Sequence, residues 1–319
     1  MRKTINRVKL VGKVYDHNLA MKVTGATSKN PGTNYIGGSL DIATDEDCLN
    51  VVTVNYTYVA ETTKTGSKNS TYTALKNIIE GGKTVVAVGA DEATCVTVDT
   101  ALALNDFYSE KAKTDKNPNG LVSAKRCDGG FITINSKLAD GYKNNFECDM
   151  LINGTIFVEA DPEKHIDADF LRVKGATFNF RGDFMPVEFV VKSAGGIKYF
   201  ESLEATTSNL VFTKVWGEIK SQTIVDKREE ENAFGEPAVK EYTRNVREWI
   251  ITGSAKEPYE IGDENNGITL DEVKQAMAAR ETYLAEVKAR QDEYQASKAA
   301  AASTSASSFS NVNAGSFNF

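Results

Sequence analysis

Only two histidines and four cysteines occur in the 319 residues, and neither type clusters. His17 and His165 each stand alone in polar, turn-like stretches, which reads as surface placement and not as a base or a ligand. Cys48, Cys95, Cys127 and Cys148 lie far apart, with no Cys-x-x-Cys and no nearby histidine pair, so the spacing of a zinc site is missing. Reduced thiols in a cytoplasm are the expected state. No run of eighteen apolar residues is present, and the basic start MRKTINRVKL leads into lysine-punctuated alternation where a signal peptide needs an apolar core. A cytoplasmic chain without a membrane span is therefore expected. Paired carboxylates or histidines in a catalytic spacing are lacking as well. Gly81-Gly82-Lys83-Thr84 follows a helical pattern and precedes an extended one, the reverse of what a phosphate-binding loop needs. Asp45-Glu46-Asp47 has neither the spaced ligands nor the glycine of a calcium loop. The expectation is a chain without catalysis, metal or cofactor.

What is present is a polarity of charge. The net charge is -7, which argues against a phosphate-rich partner when taken alone. Residues 1–40, however, carry Arg2, Lys3, Arg7, Lys9, Lys13, Lys22 and Lys29 against Asp16 alone, whereas Glu257 to Glu293 holds ten carboxylates against Lys274, Arg280, Lys288 and Arg290. Base lies early and acid late.

The patterning predicts a mainly β chain. Asn6 to Val14, NRVKLVGKV, alternates as a half-buried strand with Val8, Leu10 and Gly12 on one face and Arg7, Lys9, Val11 and Lys13 on the other. Ser39–Thr44 and Leu49–Val59 read as a hairpin around the acidic triplet. A helix is expected over 71–80, with Leu75, Ile78 and Ile79 at helical spacing, a stop at Gly81-Gly82 and a strand from Lys83 to Val88. Residues 109–126 form a basic arm before a closing strand that ends near 136. The second half repeats the plan: strands within Phe146–Ala160, Leu171–Val191, Ile197–Leu203 and Leu210–Ile224, a charged loop, and Asn245–Gly253. Its connection before the fourth strand reads as reduced, holding only EATTSN. Thr269 and Glu272 form a capping box, Ile268 and Val273 a hydrophobic staple, and a helix follows to about 300. Val273, Met277, Leu284, Val287 and Tyr294 are its apolar stripe. The uncharged Ala/Ser-rich tail, 301–319, is expected to be disordered.

The strand NRVKLVGKV and the segment TALKNIIEGGKTVVAVG resemble the start and the helix-to-fourth-strand step of the bacterial and phage single-stranded DNA-binding proteins. The resemblance covers roughly the first ninety residues. It implies the OB-fold, and the internal repeat extends it to tandem OB-like barrels: 1–136, then 137–258, an acidic linker and helix over 259–300, and the tail 301–319. The chain departs from that family in carrying two barrels, in having no tryptophan in the first, and in ending Ser-Phe-Asn-Phe with its acidic residues displaced upstream. These departures fit a diverged phage or mobile-element member, which would work in the cytoplasm of a bacterial host.

Single-strand binders stack bases on aromatic rings while Lys and Arg follow the phosphates. The candidates in the first half are Arg7, Lys13, Lys22, Lys29, Tyr35, Tyr56, Tyr58, Lys64, Lys68, Tyr72, Lys111, Lys113, Lys116, Lys125 and Arg126. Tyr56 and Tyr58 are expected on one strand face. In the second half they are Phe178, Phe180, Arg181, Lys198, Tyr199, Trp216, Arg244, Arg247 and Trp249. For each ring the competing reading is a place in a barrel core. The resemblance further implies that the terminal Phe317 and Phe319 are read by replication or recombination proteins. The expected ligand is single-stranded DNA or RNA, bound without sequence preference, by a chain that can assemble into oligomers. The alternative is a virion or assembly protein that uses OB-like barrels for protein docking.

Overall fold

The computed structural model describes residues 4–179, 182–230, 238–262 and 267–308. Strand β1, Asn6–His17, buries Val8, Leu10 and Val14 and leaves Arg7 and Lys9 exposed, as its alternation requires. After it come β2 (Ala20–Val23), β3 (Asn34–Ala43), β4 (Val51–Ala60), helix α1 (Ser70–Gly81), the short α2 (Val85–Val88), β5 (Cys95–Tyr108) and β6 (Leu121–Asn135). β1 pairs with β3 and β5, β3 with β4, β4 with β6 in parallel, and β6 with β5. That closed path of five strands, with a helix between the third and fourth, is the OB-fold topology. Closure also removes the free strand edges.

One sequence expectation is corrected here. Lys83 to Val88 is not a strand, although its valines favour one. Thr84 caps a single helical turn by accepting from the Ala87 amide, and Gly89 ends that turn with φ 85°. The fourth barrel strand begins only at Cys95.

The second half repeats the path with β7 (Lys143–Val158), β8 (Phe170–Phe178), β9 (Phe184–Val191), helix α3 (Ala194–Ser202), β10 (Val211–Glu230) and β11 (Ala238–Ser254). β7 pairs with β8 and β10, β8 with β9, β9 with β11 in parallel, and β10 with β11. The expected strand over Ile197–Leu203 is therefore a helix, and the connection is not reduced. Ser193 caps it by accepting from Gly196 N, and Phe200 is driven into the core. The run IKYF satisfies a strand pattern and a helical face equally well, so periodicity alone did not decide it.

The two barrels join through the antiparallel pairing of β1 with β7. Its register is two-fold symmetric: Val8 faces Phe146 at the centre, while Asn6 opposite Cys148 mirrors Leu10 opposite Asn144. The symmetry reaches the side chains. Asn6 donates to Leu102 O (3.0 Å) and accepts from Leu102 N (2.9 Å), and Asn144 does the same to Ile219 (2.6 and 3.1 Å). Each asparagine thus satisfies a backbone donor and acceptor on the fourth strand of its own barrel. One continuous apolar cluster runs from Leu10 and Tyr56 in the first barrel to Phe189 and Trp249 in the second.

The described residues divide into two compact units. The first holds both barrels, up to Leu104 and from Lys125 to Ala276. It includes the start of helix α4, Leu270–Ser308, which is longer than expected. The capping box forms, with Thr269 N donating to Glu272 Oε2 (2.9 Å) and Glu272 N to Thr269 Oγ1 (3.2 Å). Ile268 and Val273 pack with Leu151, Phe178 and Phe212. The second unit is the β5/β6 tip, Asn105–Ala124, with the helix from Met277 onward. There Gln291 exchanges hydrogen bonds with the backbone of Tyr108, whose hydroxyl donates to Leu284 O (3.4 Å).

Candidate nucleic-acid interface

Strands β3 and β4 bury Ile36, Leu40, Ile42, Val52, Val54 and Tyr56, so their other face, with Ser39, Asp41, Thr53 and Asn55, looks outward. Between Gly38↔Tyr56 and Ile36↔Val59 the pairing shifts, with Thr57 and Tyr58 on β4 opposite Gly37 alone on β3. The extra residue is a β-bulge, and it inverts the alternation. Val59 packs on the core, while Tyr58, 48% exposed, turns outward. Tyr56 and Tyr58 therefore do not share a face.

Outside, Tyr58 meets Tyr35 with ring centroids 4.7 Å apart. Lys22 of β2 pairs directly with Tyr35, is exposed, and has no ion-pair partner among the described residues. Two rings and a cation in a row, with polar strand residues beyond, can stack bases and meet the adjoining phosphate. Lys29 in the β2–β3 loop and Lys64 and Lys68 before α1 are also exposed. Further along the same face a pocket of about 290 Å³ opens against the second barrel, with Tyr15, Asp41 and Thr53 on one wall and Gln222, Asn245 and Arg247 on the other.

Several expected contacts belong to the core. Tyr56 (1% exposed), Tyr72 (6%), Phe178 (0%) and Trp249 (2%) are buried and cannot reach a base in the folded barrels. They supply the large apolar surface that each barrel needs. The Tyr56 hydroxyl has no hydrogen-bond partner among the described residues, and burial raises its pKa well above the ordinary phenol value. Tyr199 packs edge-on against Phe200 and donates to Ala255 O (2.8 Å), a structural role. Lys198 beside it is exposed.

On the corresponding face of the second barrel several cations are paired, although Lys174 is exposed. Arg172 lies 3.7 Å from Glu188, and Lys192 lies 2.7 Å from Glu248. Lys125 donates to Glu188 O and sits 5.3 Å from the Trp249 ring centre. Burial lowers its pKa, and the nearby Glu188 and Glu248 only partly restore it. Exposed ion pairs add little stability, ~0–1 kcal/mol each, so their main consequence here is to occupy the cations.

A larger groove, about 1180 Å³, runs over the β1/β7 junction past Arg7, Lys9, Phe131 and Trp216. Trp216 lies over Gly253, where a Cβ would come within 2.3 Å of its indole nitrogen. Asp99, Asp128 and Glu147 line the same groove, which therefore lacks the single positive sign that a phosphate chain requires. Lys13 is tied to Ala90 O, Arg126 to Asp128 (2.6 Å), and Arg244 reaches His165 O (3.5 Å). In the second unit Lys113 pairs with Glu110 (2.8 Å), while Lys111 and Lys116 are exposed. Phe180, Arg181, Phe317 and Phe319 lie outside the described residues.

Of the residues expected from the sequence, Tyr35, Tyr58 and Lys22 lie together on the outer face of the first barrel and Arg247 lines the pocket beside it, together with Tyr15, Asp41, Thr53, Gln222 and Asn245, which the sequence reading did not single out. That reading selected aromatic and basic residues, and four of these five are polar or acidic. The alternation of β3 does place Asp41 outward, which is the signal that was available.

A sequence model for the protein family described as YorF matches residues 4–290, so the chain belongs to that family. No curated protein matches it. Among solved structures it is similar to a deletion variant of the single-stranded DNA-binding protein from Thermus aquaticus, at 12% identity and a TM-score of 0.47, over 83% of this chain and 100% of that one.

Proposed function

We propose that this member of the YorF family binds single-stranded nucleic acid, without catalysis and without sequence preference, on the outer face of its first barrel. The observation that carries this reading is the contact of half-buried Tyr35 with exposed Tyr58 beside Lys22, while Tyr56 on the same strand as Tyr58 is buried. In a protein of acidic net charge, a ring pair next to an unpaired cation on the open face of an OB barrel has no role in the core. Stacking on such rings contributes about 1–3 kcal/mol per base.

In this reading residues 1–136 and 137–258 are the two barrel modules, 259–300 the linker and helix, and 301–319 a tail through which Phe317 and Phe319 recruit replication or recombination proteins. The chain coats unwound DNA during phage or mobile-element replication or recombination, in the host cytoplasm. The second reading, a docking module of a virion or assembly protein, draws support from the mixed-charge groove around Phe131 and Trp216.

Fluorescence anisotropy with labelled oligo-dT and with a duplex of the same length separates the two. The proposal expects tight binding of the single strand, weak binding of the duplex, and an affinity that falls steeply with salt. Absence of single-strand binding at low salt would leave the docking reading.

A further inference from the structure

We infer that the pocket between Asp41 and Arg247 is a nucleobase site that only the two barrels together complete. The inference rests on the single-strand reading above and names a part of that site which the ring pair does not supply. The first barrel contributes Tyr15, Asp41 and Thr53; the second contributes Gln222, Asn245 and Arg247 from β10 and β11. At about 290 Å³ the pocket falls at the small end of ligand sites, the size for one base and not for a folded partner.

Its polar atoms are arranged for a base edge. Thr223 donates to Asn245 Oδ1 (2.8 Å), which leaves the amide nitrogen as a free donor. Thr53 donates to Asp41 Oδ1 (2.5 Å), which leaves Oδ2 as an acceptor. Among the described residues Arg247 has neither an ion-pair nor a hydrogen-bond partner, and its side chain is exposed. Donors on one wall and a carboxylate on the other match the alternating donors and acceptors of an unpaired base. The carboxylate also argues against a phosphate there, because two anions would meet. Leu49 and Val51 give the wall an apolar part for the base plane.

Placement supports the assignment. Tyr35 and Asp41 lie on the same outer face of β3, six residues and so roughly 20 Å apart. A strand laid along that face stacks on the rings at one end and turns a base into the pocket at the other. The second barrel therefore acts as a donor of pocket residues, while Arg172 and Lys192 on its own face are held in ion pairs.

The test measures oligo-dT binding by wild type, Asn245→Ala, Arg247→Ala and Tyr35→Ala, with Lys174→Ala on the second barrel's face as control. An oligonucleotide carrying abasic positions is the second probe. Both pocket variants are expected to weaken oligo-dT binding on the order of tenfold, and to lose most of the wild type's discrimination against the abasic strand. Asn245→Ala should leave the salt slope unchanged, as a base contact does and a phosphate contact does not. Melting curves of these exposed-residue variants should match wild type. If wild type and Tyr35→Ala show the expected ring-dependent binding but the pocket variants bind like wild type, the base site is overturned while the single-strand reading stands. A loss at Arg247→Ala accompanied by a shallower salt slope, with Asn245→Ala silent, also overturns it, in favour of a phosphate contact. Failure of wild type to bind at all would remove the parent reading, and this inference with it.

Discussion

Arg280 closes a bidentate ion pair on Asp106, with N–O distances of 2.7 and 2.5 Å, across 174 positions of sequence. The side chains are 11% and 1% exposed, and Ser123 adds a third bond to the carboxylate (2.6 Å). Removing one partner of such a pair strands a buried charge, at about 3–5 kcal/mol, whereas replacing both by apolar groups of similar volume is often neutral. Arg280→Ala should therefore speed amide exchange in the β5/β6 tip and in α4 beyond Met277, while Asp106→Leu with Arg280→Met restores protection. Equal exchange in the single and double variants would contradict this.

Tyr56 carries a buried hydroxyl without a partner among the described residues. Tyr56→Phe removes an unpaired polar group at nearly constant volume, so it should be neutral or should stabilise by about 1 kcal/mol. Tyr56→Ala should cost about 3–5 kcal/mol, as ring truncations in cores do. Urea unfolding curves of the three proteins decide it; a Phe variant less stable than wild type would mean that the hydroxyl has a partner.

The matched asparagines at the barrel junction give a paired expectation. Asn6→Ala frees the N–H and C=O of Leu102, whereas Asn144→Ala frees only the N–H of Ile219, whose C=O still accepts from Asn50 (3.0 Å); each group left unpaired costs about 1–3 kcal/mol. Asn6→Ala should therefore cost more than Asn144→Ala in denaturant unfolding. A larger loss at Asn144 than at Asn6 would contradict this.

Burial pushes the Cys127 and Cys148 thiols up to about 12, so both remain protonated at pH 8. Cys48 and Cys95 are half-buried. A thiol-specific reagent at pH 8 should label Cys48 and Cys95 first, and Cys127 and Cys148 only on unfolding, as read by mass spectrometry of peptides.

Much of the fold was legible because local chemistry and global placement agree. The alternation of β1, the hairpin around Asp45-Glu46-Asp47 and the Thr269–Glu272 capping box all appear where the pattern puts them. The failures are places where one residue changes the meaning of a pattern. Thr84 turns a valine run into a helical turn, Ser193 turns IKYF into α3, and the extra residue at the β4 bulge sends Tyr58 to the opposite face from Tyr56. Within the candidate site, Tyr35 and Lys22 were readable as aromatic and basic residues, but their pairing depends on a register that no local signal specifies. That Arg247 and Asp41 line one pocket, and that Arg280 pairs with Asp106, depends on contacts between segments distant in sequence.

The central claim is that the first barrel's ring pair holds single-stranded nucleic acid. The most direct measurement is the oligo-dT affinity of Tyr35→Ala and Tyr58→Ala beside wild type, at one low salt concentration, with melting temperatures recorded for each. The account predicts a loss of about 1–3 kcal/mol in binding for each variant, with the melting temperature nearly unchanged because both rings lie outside the core. Wild-type affinity in both variants would contradict it.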